Sequence, residues 1–177
     1  PYVSNAVPSV GATIGGTTIS IHGSDFSGDS VLCRFGTKAV GVEQTRVVTS
    51  SIIACMSPAA SSDGNVALEV SLNGGVDFTA DKVQFVYGAG ASVLAVLPSR
   101  GTSGTTGQIV TVVGSNFFHG SDLTCRFGSN LMVQGVHLSS SQVLCSVPIR
   151  GNGMVRVDVS NNGADWSSNG SPFVYVA

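Results

Sequence analysis

The sequence has few charged residues, and its basic residues are not clustered. Lysine and arginine number 8 in 177 residues, charged residues make up 10%, and the formal net charge is −2. Nucleic-acid binding requires clustered cations that displace phosphate counterions, so we expect no nucleic-acid partner. No apolar run reaches the roughly 18 residues of a membrane span, and the N-terminal PYVSNAVPSV lacks the features of a signal peptide. We therefore expect no membrane insertion by this segment and interpret it as a mature product or an excised fragment.

Glycine and alternating apolar residues are what the sequence has in abundance. It contains 23 glycines and 42% hydrophobic residues, enough for a core and for many turns. Apolar and polar residues alternate in TTISIHG (17–23), NVALEVSLNG (65–74) and MVRVDVSNNG (154–163). This period of two is typical of strands with one buried face, and no segment shows the periodicity of an amphipathic helix. The pattern predicts an all-β protein.

The two halves of the chain repeat each other. Cys33 recurs as Cys125, 92 positions later, and Cys55 recurs as Cys145, 90 positions later. A constant order of matches with a small drift in spacing indicates a duplicated domain of about 90 residues. Matching pairs include VPSVG (7–11) with LPSRG (97–101), VLCRFG (31–36) with LTCRFG (123–128), and FVY (85–87) with FVY (173–175).

Each repeat contains two cysteines at matching positions. One pair per repeat predicts the disulfides Cys33–Cys55 and Cys125–Cys145. The alternative is four buried free thiols, because cysteine is a common small core residue. A zinc site is disfavoured, since no C-x-x-C motif occurs and the three histidines do not match between the repeats. The disulfide interpretation places the chain outside the cytosol.

The ordered motifs resemble those of the IPT/TIG family of immunoglobulin-like modules. They are VPSVG, GGTTISIHGSDF, CRFG, C-x-x-P and a terminal F-x-Y, and they occur twice with small departures. The resemblance implies two tandem immunoglobulin-like β-sandwiches of about seven strands each, at 1–88 and 89–177. The family is shared by plexins, scatter-factor receptors, fibrocystin-like proteins and certain transcription factors, so it specifies fold more than function. The cysteines and the lack of basic patches favour its extracellular branch.

No set of residues forms a catalytic pattern. GSDFSGDS offers Asp25 and Asp29 as a carboxylate pair or calcium loop, but the matching GSNFFHGSD has Asn116 in place of Asp25, which favours a solvated turn. GTSGTTG (101–107) lacks the lysine of a phosphate-binding loop, and no G-x-S-x-G motif occurs. We therefore expect no enzyme activity, no cofactor and no metal site.

Two residues are candidates for roles at the surface. NGS at 169–171 makes Asn169 a candidate N-glycosylation acceptor, although Pro172 follows it, and Ser/Thr-rich loops are candidates for O-linked sugars. Phe118 has no counterpart in the first repeat and is a candidate surface contact. Trp166 corresponds to Phe78, which favours packing over a sugar-binding platform.

These observations favour a non-catalytic, structural or adhesive module, located outside the cell or at its surface. A segment of a receptor ectodomain and an accessory module of a secreted glycan-active enzyme are the alternatives. Joining the C-terminal end to a second copy would separate Tyr175 from the next Pro8 by ten positions, against eleven between Tyr87 and Pro98. We therefore expect a head-to-tail array, covalent or assembled, with copies of the chain as its main partner and attached glycans as an addition. The alternative is a fragment that is simply trimmed at its domain limits.

Overall fold

The computed structural model describes residues 1–177, which form β-strands, turns and loops apart from one 3-10 turn, η1 (Val42–Gln44). The chain divides into two compact units, Pro1–Ala89 and Gly90–Ala177, called unit 1 and unit 2 below. None of its helical segments is long and apolar enough to cross a membrane. The prediction of an all-β protein with two tandem sandwiches is confirmed.

Unit 1 contains nine strands in two facing sheets. They are β1 (Tyr2–Val7), β2 (Val10–Ala12), β3 (Thr18–Ser24), β4 (Leu32–Phe35), β5 (Lys38–Val40), β6 (Thr45–Thr49), β7 (Ile52–Met56), β8 (Gly64–Ser71) and β9 (Val83–Gly88). One sheet has the order β1-β3-β7-β6 and the other the order β2-β9-β8-β4-β5. Neighbouring strands are antiparallel except β2 and β9, which pair in parallel.

Unit 2 contains eight strands with the same succession of neighbours. They are β10 (Ser92–Leu97), β11 (Arg100–Thr102), β12 (Ile109–Ser115), β13 (Thr124–Phe127), β14 (Leu131–Ser139), β15 (Gln142–Ser146), β16 (Gly153–Ser160) and β17 (Ser171–Val176). Their order is β10-β12-β15-β14-β13-β16-β17-β11.

The first strand of each repeat is divided in two, which raises the strand count above the seven expected. Before Pro8 the chain pairs with β3 as β1, and after it the chain pairs with β9 in the other sheet as β2. Pro98 separates β10 from β11 in the same way. Proline has no N–H to donate, so a strand is readily interrupted there.

The repeats differ in the number of strands between their two cysteines. In unit 2 the first half of β14 pairs with β13 and its second half with β15, which joins all eight strands. In unit 1 the cysteines are 22 positions apart rather than 20. The two additional residues of unit 1 accompany a break of this segment into β5, η1 and β6, and its two sheets remain separate.

Each unit has its own core, built from the inward-facing residues of the alternating strands. Ile19 and Ile21 of β3 are fully buried, and Val110 and Val112 take the equivalent places in β12. Burial of one such side chain contributes roughly 1.5–3 kcal/mol. The period of two in the sequence therefore corresponds to the inward face of each sandwich.

Candidate interaction surfaces

Each unit contains one disulfide that crosses its core. Cys33 on β4 bonds to Cys55 on β7, and Cys125 on β13 bonds to Cys145 on β15, so no cysteine is free. All four side chains are at most 1% exposed. Because β4 and β7 belong to different sheets, the bond holds the two layers of the sandwich together. Disulfides persist in oxidising compartments, so these bonds indicate a location outside the reducing cytosol.

Asp81 and Asn169 hold the first strand of their units in the same way. The backbone N–H of Val3 donates to Oδ2 of Asp81 (2.8 Å), and that of Val93 donates to Oδ1 of Asn169 (3.0 Å). The Nδ2 atom of Asn169 also donates to Oγ of Ser92 (2.9 Å). Both hydrogen bonds lie at a β-bulge, where the strand register shifts. The side chain therefore accepts from a backbone N–H that the regular strand pairing leaves without a partner.

The candidate glycosylation residue Asn169 is exposed in the loop between β16 and β17. The Nδ2 atom to which a glycan would be attached is the atom that contacts Ser92. Attachment replaces one of its two N–H bonds and leaves Oδ1 able to accept from Val93. The structure is thus compatible with a modified Asn169, and the modification stays a prediction.

Phe118 is half-buried and is fixed through its backbone. Its N–H donates to Oδ1 of Asn161 (2.9 Å), and Nδ2 of Asn161 donates to the carbonyl oxygen of Asn116 (2.8 Å). The neighbouring Phe117 is a core residue. Only part of the Phe118 ring is therefore accessible, and its role as a surface contact stays a prediction.

The arginine of the CRFG motif stacks on an aromatic ring in both units. Cζ of Arg34 lies 4.0 Å from the ring centroid of Phe78, and Cζ of Arg126 lies 4.2 Å from that of Trp166. Such contacts contribute about 0.5–2 kcal/mol, depending on burial. Trp166 thus packs within its own unit, and its face against Arg126 is not free to stack on a sugar.

A buried carboxylate lies opposite each stacked arginine, which the sequence analysis did not identify. Asp158 pairs with Arg126 across the strands and accepts from its guanidinium (3.4 Å) and from Oγ of Ser167 (3.0 Å). In unit 1, Glu69 faces Arg34 in register but accepts from Oγ1 of Thr79 and from a backbone N–H. The signal was an acidic residue at the same place in both repeats, between two buried apolar residues of the strand. Both carboxylates are satisfied inside their own unit, as structural groups are.

The titratable groups form no reactive cluster. No group of three or more His, Cys, Asp or Glu side chains is placed to hold a metal ion. Burial raises the pKa of Tyr87 to about 12, and burial also raises the pKa of Tyr175, whereas Arg150 nearby lowers it. The two hydroxyls donate to the carbonyl oxygens of Pro58 (2.8 Å) and Pro148 (3.0 Å). These tyrosines therefore tie the last strand to a loop, which is a structural role.

The outer face of β10, β12, β15 and β14 in unit 2 is an uncharged surface. These four strands contain no Asp, Glu, Lys or Arg. Strand pairing aligns Leu97, Thr111, Leu144 and Val136 in one row across them. The outer two side chains of the row, Leu97 and Val136, are each 56% exposed. We call this surface the uncharged face of unit 2.

The equivalent row in unit 1 has a different character. Val7, Ser20, Ala54 and Arg46 are aligned there by the same strand pairings. Arg46 is exposed at the position that corresponds to Val136. The two units therefore present different surfaces on the same backbone.

The comparisons with known proteins concern fold. The IPT/TIG domain family model matches residues 1–87 and again 91–175, whereas no curated protein matches the chain. Two structures of the plexin A4 extracellular region are similar, with 15% identity over 90% of this chain (TM-score 0.59) and 18% identity over 98% (TM-score 0.54). A protein named SGBP-B, from a xyloglucan utilization locus of Bacteroides uniformis, is 22% identical over 99% of this chain and 49% of its own, with a TM-score of 0.38.

The chain spans only 14% and 18% of the two plexin chains. At these identities the likeness shows the fold and no more. The two family matches, by contrast, are adjacent and together cover nearly the whole sequence. The chain therefore belongs to the IPT/TIG domain family and carries two such domains in tandem.

Proposed function

We propose that the chain is a non-catalytic extracellular structural module that acts by protein contact, above all with further copies of itself. Family membership supports a module of this kind, and the two disulfides support an oxidising location. The buried carboxylates and the tyrosines with raised pKa are engaged in internal hydrogen bonds.

The observation that carries the proposal is the uncharged face of unit 2. The centre of a protein–protein interface is usually poor in charged residues. The row of Leu97, Thr111, Leu144 and Val136 at the centre of this face contains no charged residue. Four strands spaced about 4.8 Å apart and about five residues long present roughly 300 Å². A stable pair needs about 800 Å² per partner, so one such face binds weakly.

A weak contact becomes effective when many copies are joined. Linked contacts gain avidity because each later contact forms within an assembly that already exists. An array of repeated modules contains many such linked contacts. A head-to-tail contact that does not close on itself propagates without limit. The tandem duplication and the weak face of unit 2 support a structural array over an isolated pair.

Electron microscopy of the native material, together with the sequence of its complete gene, tests the array. We expect filaments or strings with a regular repeat, or a gene that encodes further copies of the module. A dispersed native monomer and a gene without further repeats would contradict the proposal. A gene with a membrane span and a signalling region would instead favour the receptor alternative, and a catalytic domain would favour the accessory-module alternative.

The contact surface itself is tested by substitution at equivalent places in the two units. Leu97→Glu places a charge in the uncharged face and should weaken self-association, whereas Val7→Glu makes the same change in unit 1 and should not. Sedimentation velocity measures both variants beside the wild type. Equal association of all three would show that the uncharged face of unit 2 is not a contact.

We also propose that Asn169 carries an N-linked glycan when the chain is secreted by a cell that makes them. Its exposure supports this, and the matched variant is Asn169→Asp, because Asp81 already serves the same strand contact in unit 1. Mass spectrometry of the native chain should find a glycopeptide that includes Asn169 and that Asn169→Asp eliminates. Recovery of this peptide wholly unmodified would refute the assignment.

A further inference from the structure

One end of unit 1 is acidic. The β3–β4 loop (25–31) and the β8–β9 loop (72–82) meet there, through a bridge between Ser30 and Asn73 and a hydrogen bond from Gly74 N–H to the carbonyl of Ser30 (2.9 Å). These loops contain four carboxylates and one cation. We call this surface the acidic end of unit 1; its charged residues are Asp25, Asp29, Asp77, Asp81 and Lys82.

Unit 2 has a basic end. The β11–β12 loop (103–108) and the β15–β16 loop (147–152) meet there. Gly104 N–H donates to the carbonyl of Arg150 there (2.9 Å). Arg150 is exposed in one loop, and Arg100 is exposed at the start of the strand that leads into the other. Neither loop contains a carboxylate. We call this surface the arginine end of unit 2.

The duplication shows that the fold does not need two of these carboxylates, Asp25 and Asp81. Asp25 has a φ of 61°, and its counterpart Asn116 has a φ of 59°. Asp81 and its counterpart Asn169 accept the same strand N–H. Asparagine and aspartate serve equally well in left-handed turns and as acceptors. An amide thus performs both structural roles in unit 2, so the charges of Asp25 and Asp81 are an addition in unit 1. The other two carboxylates are common to the repeats, because Asp29 recurs as Asp122 and Asp77 recurs as Asp165.

The arginines are likewise present in one unit only. Arg100 takes the place of Val10, and Arg150 takes the place of Ala60. The equivalent end of unit 1 lacks both arginines and has Lys38 instead, whose Nζ donates to the carbonyl oxygen of Ala59. The tyrosine-to-proline contact beside them is the same in the two units. Like charges gathered at one end of a domain repel each other, so each concentration of charge has an unfavourable energy until a partner neutralises it.

We propose that the acidic end of unit 1 in one copy binds the arginine end of unit 2 in another copy. The two surfaces have opposite charge, with a formal excess of three negative charges on one and two positive charges on the other. They are different patches of the chain, so copies arranged head to tail can repeat the contact without limit, whereas a reciprocal two-fold pair would close it. This inference rests on the array proposed above and adds a second contact between its copies, beside the uncharged face of unit 2.

Ion binding explains the acidic end less well. The carboxylates do not converge into a group that could hold a metal ion, and they are spread over two loops, as a contact surface requires.

The test exchanges residues between the repeats. Asp25→Asn with Asp81→Asn copies unit 2 into unit 1, and Arg100→Val with Arg150→Ala copies unit 1 into unit 2. Sedimentation velocity at low ionic strength should show an association constant at least about fivefold lower for each double variant. About 0.5 M salt should weaken the wild type similarly. Asp122→Asn, a charge removal in the corresponding loop of unit 2, is the matched control and should change nothing.

A charge reversal distinguishes direct contact from a general effect of net charge. Asp29→Arg alone and Arg150→Asp alone should each weaken association, and the chain that carries both should regain most of it. Circular dichroism checks that every variant is folded. If the wild type associates and neither the residue exchanges nor salt lower its association constant, the proposed electrostatic contact is wrong. The array itself is not contradicted by that result. A wild type that stays monomeric in this assay overturns the contact, whereas the array itself is decided by microscopy and the gene.

Discussion

Removal of the disulfide in unit 2 should destabilise that unit by about 4–5 kcal/mol and leave unit 1 unchanged. The variant is Cys125→Ala with Cys145→Ala. The bond closes a loop of 20 residues, and the entropy that it removes from the unfolded chain corresponds to about 3 kcal/mol. Both sulfur atoms belong to side chains at most 1% exposed, so their loss also leaves a cavity that costs about 1–2 kcal/mol.

This loss is large for a domain of such size. A unit of 88 residues has a free energy of unfolding of roughly 4–13 kcal/mol at the usual value per residue. The variant unit should therefore be marginal or only moderately stable at room temperature. With a denaturant dependence of about 1–2 kcal/mol per molar urea, the midpoint should fall by about 2–5 M.

The single tryptophan makes the assay specific for one unit. Trp166 stacks on Arg126 within unit 2, and unit 1 contains no tryptophan. Unfolding of unit 2 separates the indole from the guanidinium and exposes it to water, which changes its fluorescence, so a urea titration followed at this signal reports unit 2 alone. The matched control is Cys33→Ala with Cys55→Ala, which removes the bond of unit 1 and should leave the tryptophan transition in place.

Three results would each refute a part of this reasoning. A tryptophan transition in the unit 2 variant that shifts by less than about 1 M urea would show that the bond contributes little. Peptide mapping without reductant that joined Cys33 to Cys125, or that found free thiols, would show that the pairing itself is wrong. A shift of the tryptophan signal in the unit 1 control would show that the two units do not unfold independently.

Three further changes test the packing of the strands. Gly114→Ala would place a Cβ 1.9 Å from the carbonyl oxygen of Ser92, so we expect the free energy of unfolding, measured by urea titration, to fall by about 3 kcal/mol or more. Its control is Gly120→Ala, which has open space around it and should lower the free energy of unfolding by about 1 kcal/mol at most. Asn169→Ala should cost about 1 kcal/mol through the lost strand contact, and Asn169→Asp should cost little. For Tyr87, the folded pKa of about 12 lies above the ordinary value of 10.0, so its contribution is complete below pH 10 and is lost as the pH rises towards 12. Tyr87→Phe should therefore be about 1 kcal/mol less stable at neutral pH and show a smaller loss between pH 10 and 12.

The sequence predicted those parts of the fold that depend on local pattern and on duplication. Alternation identified the buried face of β3 through Ile19 and Ile21 and that of β16 through Val157 and Val159. The matched cysteines indicated which sulfur atoms the structure joins. These features depend on periodicity and order along the chain, which a single sequence contains.

Contacts between distant segments were not accessible in this way. The bond from Val93 to Asn169 joins residues 76 positions apart, and nothing near Asn169 in the sequence marks it as the acceptor for a strand. The stacking of Arg126 on Trp166 and the burial of Asp158 beneath them depend on strand order and on the path of one loop. The pair of Arg126 and Asp158 does have a signal in the sequence, because an acidic residue and an arginine recur at the same places in both repeats.

The duplication also separates what the fold requires from what recognition can use. Core positions exchange one apolar side chain for another, as Ile19 does for Val110, and both remain buried. At outer positions, a charged residue in one repeat is replaced by an uncharged residue in the other, while the backbone matches closely. Examples are Arg46 and Val136, and Asp25 and Asn116. A residue transplanted from the other repeat has already been accommodated by the same backbone, so it should alter the surface with little effect on stability. Self-association that changes in such a variant, while its unfolding curve does not, therefore measures recognition alone.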